Sequence, residues 1–129
     1  MRESICVIDD DQIYQLIIKK VVERTEEFES VCFYSDGLDA FEDFKSPKYQ
    51  LPEIILLDIN MPQMDGWQFL DCLISSKPDF DKETAIYIVS SSIAYSDITK
   101  AESYTQVSGF LSKPLSVDKL KEIASKHRK

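Results

Sequence analysis

Glycine, histidine and basic charge are all scarce in this 129-residue chain. Glycine occurs only at Gly37, Gly66 and Gly109. That spacing excludes the glycine-rich loop of nucleotide-binding proteins and the glycine-flanked serine elbow of hydrolases. The one histidine is His127. A Ser-His-Asp or Cys-His catalytic set would have to use it, and so would a histidine metal site. A position so near the last residue is expected to fray, which is a poor seat for a base. Cys6, Cys32 and Cys72 lie far apart inside apolar runs. With no C-x-x-C pair, they read as reduced core thiols and not as a disulfide frame or zinc site. Lys and Arg total 15 against 23 Asp and Glu, a formal net charge of -8. That balance argues against a nucleic-acid surface and against an anionic membrane surface. The basic ending, Lys126 to Lys129, reads as a solvated helix terminus complementing the helix dipole. No apolar run reaches the length of a membrane span, and the opening residues lack a signal peptide's apolar segment. A cytoplasmic protein of one domain, residues 1–129, is the expectation.

What is present is an alternation. Hydrophobic residues make up 43% of the chain. They gather in short runs at Ser4–Ile8, Val31–Tyr34, Ile54–Leu57, Ala85–Val89 and Gly109–Leu111. These runs lack polar alternation, as strands buried on both faces do. Helical patterns separate them, at about Gln12–Arg24, Gly37–Lys45, Gly66–Ser75, Ser96–Thr105 and Ser116–His127. Five strand–helix units predict an α/β fold, a parallel sheet covered by helices on both faces. Ser35-Asp36-Gly37 reads as a turn into the second helix, and Ser116 as the N-cap of the last. Residues 77–84 read as a loop. The first helix carries more apolar residues than one stripe needs, from Ile13 and Tyr14 to Val21 and Val22. Either it packs deeply or one edge is left for a partner.

The residues that carry chemistry lie just past the strands. Asp9, Asp10 and Asp11 come after the first, and Asp58 after the third. Ser90, Ser91 and Ser92 come after the fourth, and Ser112 and Lys113 after the fifth. In a parallel sheet these ends share one edge, where folds of this class bind ligands. Gathered carboxylates repel, so their pKa values rise or a cation neutralises them. An all-oxygen acidic site suits Mg2+ together with a phosphate. A carboxylate beside Mg2+ and a lysine has the means to attack a phosphoryl group and become an acyl phosphate. A calcium-binding EF-hand fails: after Asp58 and Asn60 come Pro62 and Gln63, where a ligand and Gly belong. Pro62, Asp65 and Gly66 read as turn and helix-start chemistry.

The stretches "VIDDD", "LLDINMPQMDG", "IVSSS" and "GFLSKP" together resemble the signatures of the response regulator receiver domain of two-component systems. The resemblance runs over essentially the whole chain, and is nearest to stand-alone, chemotaxis-type (CheY-like) receivers. It implies a flavodoxin-like, doubly wound sheet of five parallel strands in order 2-1-3-4-5 with five helices. It implies Asp58 as phospho-acceptor, with Asp9, Asp10, Asp58 and the backbone carbonyl of Asn60 holding Mg2+. Ser90 matches the switch hydroxyl and Ser91 the small residue beside the phosphoryl. Lys113 matches the phosphoryl-binding lysine, with Pro114 next to it, often through a cis bond. Phe110 matches the switch aromatic, where many members carry Tyr. The implied partners are a histidine kinase or histidine phosphotransfer protein and a downstream protein target. The implied chemistry is limited to the chain's own phosphorylation and dephosphorylation. Asn60 and Ser92, flanking the site, are expected to tune water access. Two other readings stand beside this one. An Asp-nucleophile phosphatase of the haloacid dehalogenase type wants an acid where this chain has Asn60. A docking module that ignores phosphate would not need the full set of Asp9, Asp10, Asp58, Ser90 and Lys113.

Overall fold

The computed structural model describes residues 3–91 and 94–127. Ser92, Arg128 and Lys129 lie outside the described residues. The elements run β1 (Glu3–Ile8), α1 (Gln12–Thr25), β2 (Phe28–Tyr34), α2 (Gly37–Phe44), β3 (Ile54–Leu57) and α3 (Gly66–Ser76). A 3-10 turn (Phe80–Lys82), β4 (Ala85–Ser90), α4 (Tyr95–Glu102), β5 (Val107–Ser112) and α5 (Val117–His127) complete them. The strands form one parallel sheet in the order β2-β1-β3-β4-β5.

Alternate residues of the central strands build two cores. Cys6, Ile8, Ile55, Leu57, Ile86 and Ile88 face α2, α3 and α4, where Phe44, Phe69, Leu70 and Leu73 pack on them. Ile5, Val7, Ile54, Leu56, Tyr87 and Val89 face α1 and α5, where Ile18, Val22, Leu120 and Ile123 pack. Both faces of β3 and β4 are thus covered, which explains their unbroken apolar runs. Leu57 is fully buried, so truncation to Ala would cost about 2–5 kcal/mol.

The outer strands depart from the sequence expectation. β2 and β5 are only partly buried, being edges with one neighbour each. α4 also ends at Glu102, short of Thr105, with Ser103 as its C-cap. In α1, Tyr14, Ile18 and Val22 are buried. Ile13, Leu16 and Ile17 remain 72%, 65% and 48% exposed. The wide apolar surface therefore divides into a packed stripe and an open edge.

Caps set the helix starts. Asp36 accepts from Asp39 N at 2.8 Å, and Ser116 accepts from Lys119 N at 3.0 Å. Asp65 and Gln68 form a reciprocal capping box on α3. His127 is not frayed as the sequence predicts. Its Nε2 lies 2.6 Å from the Tyr87 hydroxyl of β4, and the two rings meet edge to face. Burial, then Lys126, pull its pKa below the ordinary imidazole value. Between α3 and the end of α4, Trp67 stacks on Tyr104 with centroids 5.7 Å apart, and Lys100 Nζ lies 5.2 Å from the indole. The Tyr104 hydroxyl donates to Asp71 at 2.7 Å. The three cysteines are free thiols. No helix among the described residues is long and apolar enough to cross a membrane.

Candidate functional site

The acids are delivered by ladders that continue one residue past the strands. Asp9 N–H donates to Tyr34 O at 3.0 Å, and Asp58 N–H donates to Ile8 O at 2.9 Å. The two side chains therefore leave neighbouring strands at the same level. Lys113 arrives alike, its N–H donating to Ser90 O at 2.9 Å. The Lys113–Pro114 peptide is cis.

Local chemistry fixes each group. Asp9 accepts from Asp11 N at 2.9 Å, while Gln15 donates to the Asp9 carbonyl at 2.6 Å. Asp11 caps α1, accepting from Ile13 N at 3.0 Å and Tyr14 N at 3.1 Å. Behind Asp58, Gly66 N–H donates to Ile59 O at 2.8 Å. A Cβ on Gly66 would run into the Asp58 carbonyl and meet Ile59 Cα at 3.0 Å, so only glycine lets α3 start this close. The loop between them bends at Gln63, whose φ of 64° is unusual for a residue with a side chain.

The charges converge. Carboxylate oxygens of Asp9, Asp10 and Asp58 lie within 4.8 Å of one another. Lys113 Nζ lies 2.6 Å from Asp9 and 3.9 Å from Asp58. Asp9 and Asp58 are buried, whereas Asp10 is exposed. Unit charges at such separations interact by about 4 kcal/mol at an effective dielectric near 20, so solvent does not erase this repulsion. Burial, then the Asp9 charge, push the Asp58 carboxyl up to about 6, against the pull of Lys113. Three carboxylates with one ammonium leave a surplus of negative charge on oxygen donors. That donor set fits a hard divalent cation and not a soft metal.

Ser90 ends β4, 3% exposed, and pairs in register with Ser112. Phe110 sits on β5 opposite Ile88, partly buried against the α2–α3–α4 core. Asn60 is exposed on the β3–α3 loop, and Ser91 is exposed at the end of β4. Asp9, Asp10, Asp58 and Lys113 are thus brought together, with Ser90 at the same edge.

Sequence reasoning missed one neighbour. Tyr14 enters it only as part of an apolar helix face. In the structure its ring centre lies 4.3 Å from Lys113 Nζ. A desolvated contact of this kind contributes about 2 kcal/mol. Burial, then Asp9 and Asp58, hold the Tyr14 phenol well above its usual range, so it stays a neutral O–H donor. The signal was positional: Tyr14 lies in the first turn of the helix that the acid run begins.

The response regulator receiver domain model matches residues 5–125. The chain belongs to that family. The receiver is 27% identical over 126 residues to the chemotaxis protein CheY of Listeria monocytogenes, covering 98% of each. It is 34% identical over 119 residues to the transcriptional regulatory protein DegU of Brevibacillus brevis, covering 92% of this chain. The chain spans 47% of DegU and 21% of a protein-glutamate methylesterase of Leptospira interrogans. A two-component response regulator structure from Cytophaga hutchinsonii superposes with a TM-score of 0.87 at 27% identity over 98% of both chains. Membership of this family makes the chain a receiver of two-component signalling.

Proposed function

We propose that the receiver, as one unit of residues 1–129, accepts a phosphoryl group on Asp58 and thereby switches its partner preference. The donor is the phosphohistidine of a histidine kinase or phosphotransfer protein. An Asp58 oxygen attacks phosphorus, the phosphorus–nitrogen bond breaks, and the imidazole takes a proton as it leaves. Asp9, Asp10, Asp58 and the Asn60 carbonyl are the groups that would hold Mg2+, which when bound supplies charge neutralisation at the phosphoryl oxygens. Lys113 moves from Asp9 toward those oxygens, and Ser90 donates its hydroxyl to one of them. Phe110 moves into the space that Ser90 leaves, and the α4–β5–α5 face shifts between two states. The open apolar edge of α1, which starts at the acid cluster, is the surface offered to the donor protein.

One observation carries this reading. Lys113 is 2.6 Å from one buried acid and 3.9 Å from another, so a single ammonium already serves both the acid cluster and the acceptor. Intact mass after incubation with acetyl phosphate and Mg2+ is the test. The expected result is a gain of one phosphoryl group that Asp58→Asn abolishes. No gain, or an undiminished gain in that variant, overturns the reading.

A further inference from the structure

One buried polar group beside the acids has no part in that transfer: the hydroxyl of Tyr14. Tyr14 is 7% exposed. Among the described residues its Oη is the one buried side-chain oxygen or nitrogen atom with no hydrogen-bond partner in the protein. Phenylalanine would fill the same volume with no unpaired donor, so packing alone does not account for a tyrosine here. The ring has a clear neighbour, Lys113 Nζ at 4.3 Å from its centre. That ammonium is also 2.6 Å from Asp9 and 3.9 Å from Asp58, on a side chain only 12% exposed. Ring and carboxylates, more than water, make its environment. The Asp11 carboxylate that caps Tyr14 N at 3.1 Å belongs to the residue whose own N–H holds Asp9 at 2.9 Å. One loop therefore sets the ring, the acid and, through them, the ammonium.

We propose that Tyr14 is a positioning residue for phosphoryl transfer to Asp58: its ring face holds the Lys113 ammonium, and its hydroxyl is kept for an oxygen acceptor that arrives with the loaded site. The inference rests on Asp58 being the phospho-acceptor. Lys113 must leave Asp9 for the incoming phosphoryl oxygens. An aromatic face attracts a cation out to about 6 Å from its centre, so the ammonium has room to shift without being released to water. The hydroxyl's acceptor is a phosphoryl oxygen, which such a site gains on loading.

The test compares the full chain with Tyr14→Phe, Tyr14→Leu, Lys113→Ala and the Tyr14→Leu/Lys113→Ala pair. Labelling by acetyl phosphate with Mg2+ is tracked by intact mass at several donor concentrations, beside thermal melts. Tyr14→Phe is expected to melt at or above the parent temperature yet label about 3- to 5-fold more slowly, the loss falling on the maximal rate. Tyr14→Leu is expected to label about 10-fold more slowly in the parent but to slow Lys113→Ala only about 3- to 5-fold, because the ring's share acts through Lys113 and the hydroxyl's does not. The Lys113 methylene proton signals should carry a ring-current shift in the parent and Tyr14→Phe and lose it in Tyr14→Leu. Tyr14→Phe labelling at the parent rate, or full additivity in the pair, overturns the inference while the Asp58 reading survives. A parent that gains no phosphoryl group overturns both.

Discussion

The two edges of the sheet make opposite use of polar residues. At the amino-end edge lies a recess of about 660 Å3, lined among others by Ser4, Glu29, Glu53, Asp79, Lys82 and Thr84. Its polar groups serve the local fold: Ser4 accepts from Glu53 N at 3.1 Å, and Thr84 donates to Pro52 O at 2.9 Å. Its ion pair, Lys82 with Asp79, is 3.9 Å long with side chains 76% and 81% exposed, where such pairs contribute almost nothing. At the carboxyl-end edge, the Lys113 and Asp9 side chains pair at 2.6 Å while only 12% and 2% exposed. The amino-end recess is thus electrostatically ordinary, and the crowded carboxyl-end edge holds paired charges largely withdrawn from water. Convergence of unlike groups in a poorly solvated place, more than volume, points to chemistry.

The sharpest way to break this contrast is to remove one acid from each edge. Asp58→Asn is expected to abolish phosphoryl uptake from acetyl phosphate, while Asp79→Asn labels like the parent, both read by intact mass. Equal behaviour of the two variants would erase the distinction. The lysines form the next pair. Lys113→Ala should slow labelling about 100-fold, the usual order for losing one group that stabilises developing charge. Lys82→Ala should leave the rate unchanged.

Stability against pH gives a smaller effect. Asp58 sits near 6 in the folded chain against an ordinary 3.8, so the fold holds this proton more tightly than the unfolded chain does. The group therefore favours folding most below pH 3.8, and that advantage is lost as pH rises to about 6. Without divalent cations, Asp58→Asn should stabilise the chain at pH 7.5 by about 2–3 kcal/mol, with the gain fading toward pH 4. Urea unfolding at both pH values checks this, and equal stability at pH 7.5 would count against it. Smallest is Thr84→Val at the opposite edge. It should cost about 1 kcal/mol of stability, for the lost bond to Pro52, and leave labelling untouched.

Much of this molecule was legible in its sequence because its buried strands are continuous apolar runs. Ile54–Leu57 and Ala85–Ser90 were found almost to the residue, since nothing but a two-sided core explains such runs. Edge strands were harder to read. β2 begins at Phe28 and β5 at Val107, where exposed residues dilute the pattern. Asp9, Asp10, Asp58 and Lys113 were legible as one cluster because each comes just after a parallel strand, and topology brings such ends together. Tyr14 was not, because periodicity reports which residues are apolar and says nothing of which face a tyrosine turns to a cation. The seat of His127 against Tyr87 escaped for a related reason. Fraying is a rule about position in the chain, and an aromatic neighbour on β4 overrides it.

The stack of Trp67 on Tyr104 gives the receiver a built-in optical gauge. Trp67 is the only tryptophan in the sequence. It is anchored in α3 beside the acid cluster, and its partners, Tyr104 and the Lys100 ammonium, belong to α4 and its end. Emission from this single indole therefore reads the spacing between α3 and the helix beside the proposed switch strand. Displacement of α4 changes the colour and yield of that light with no label attached.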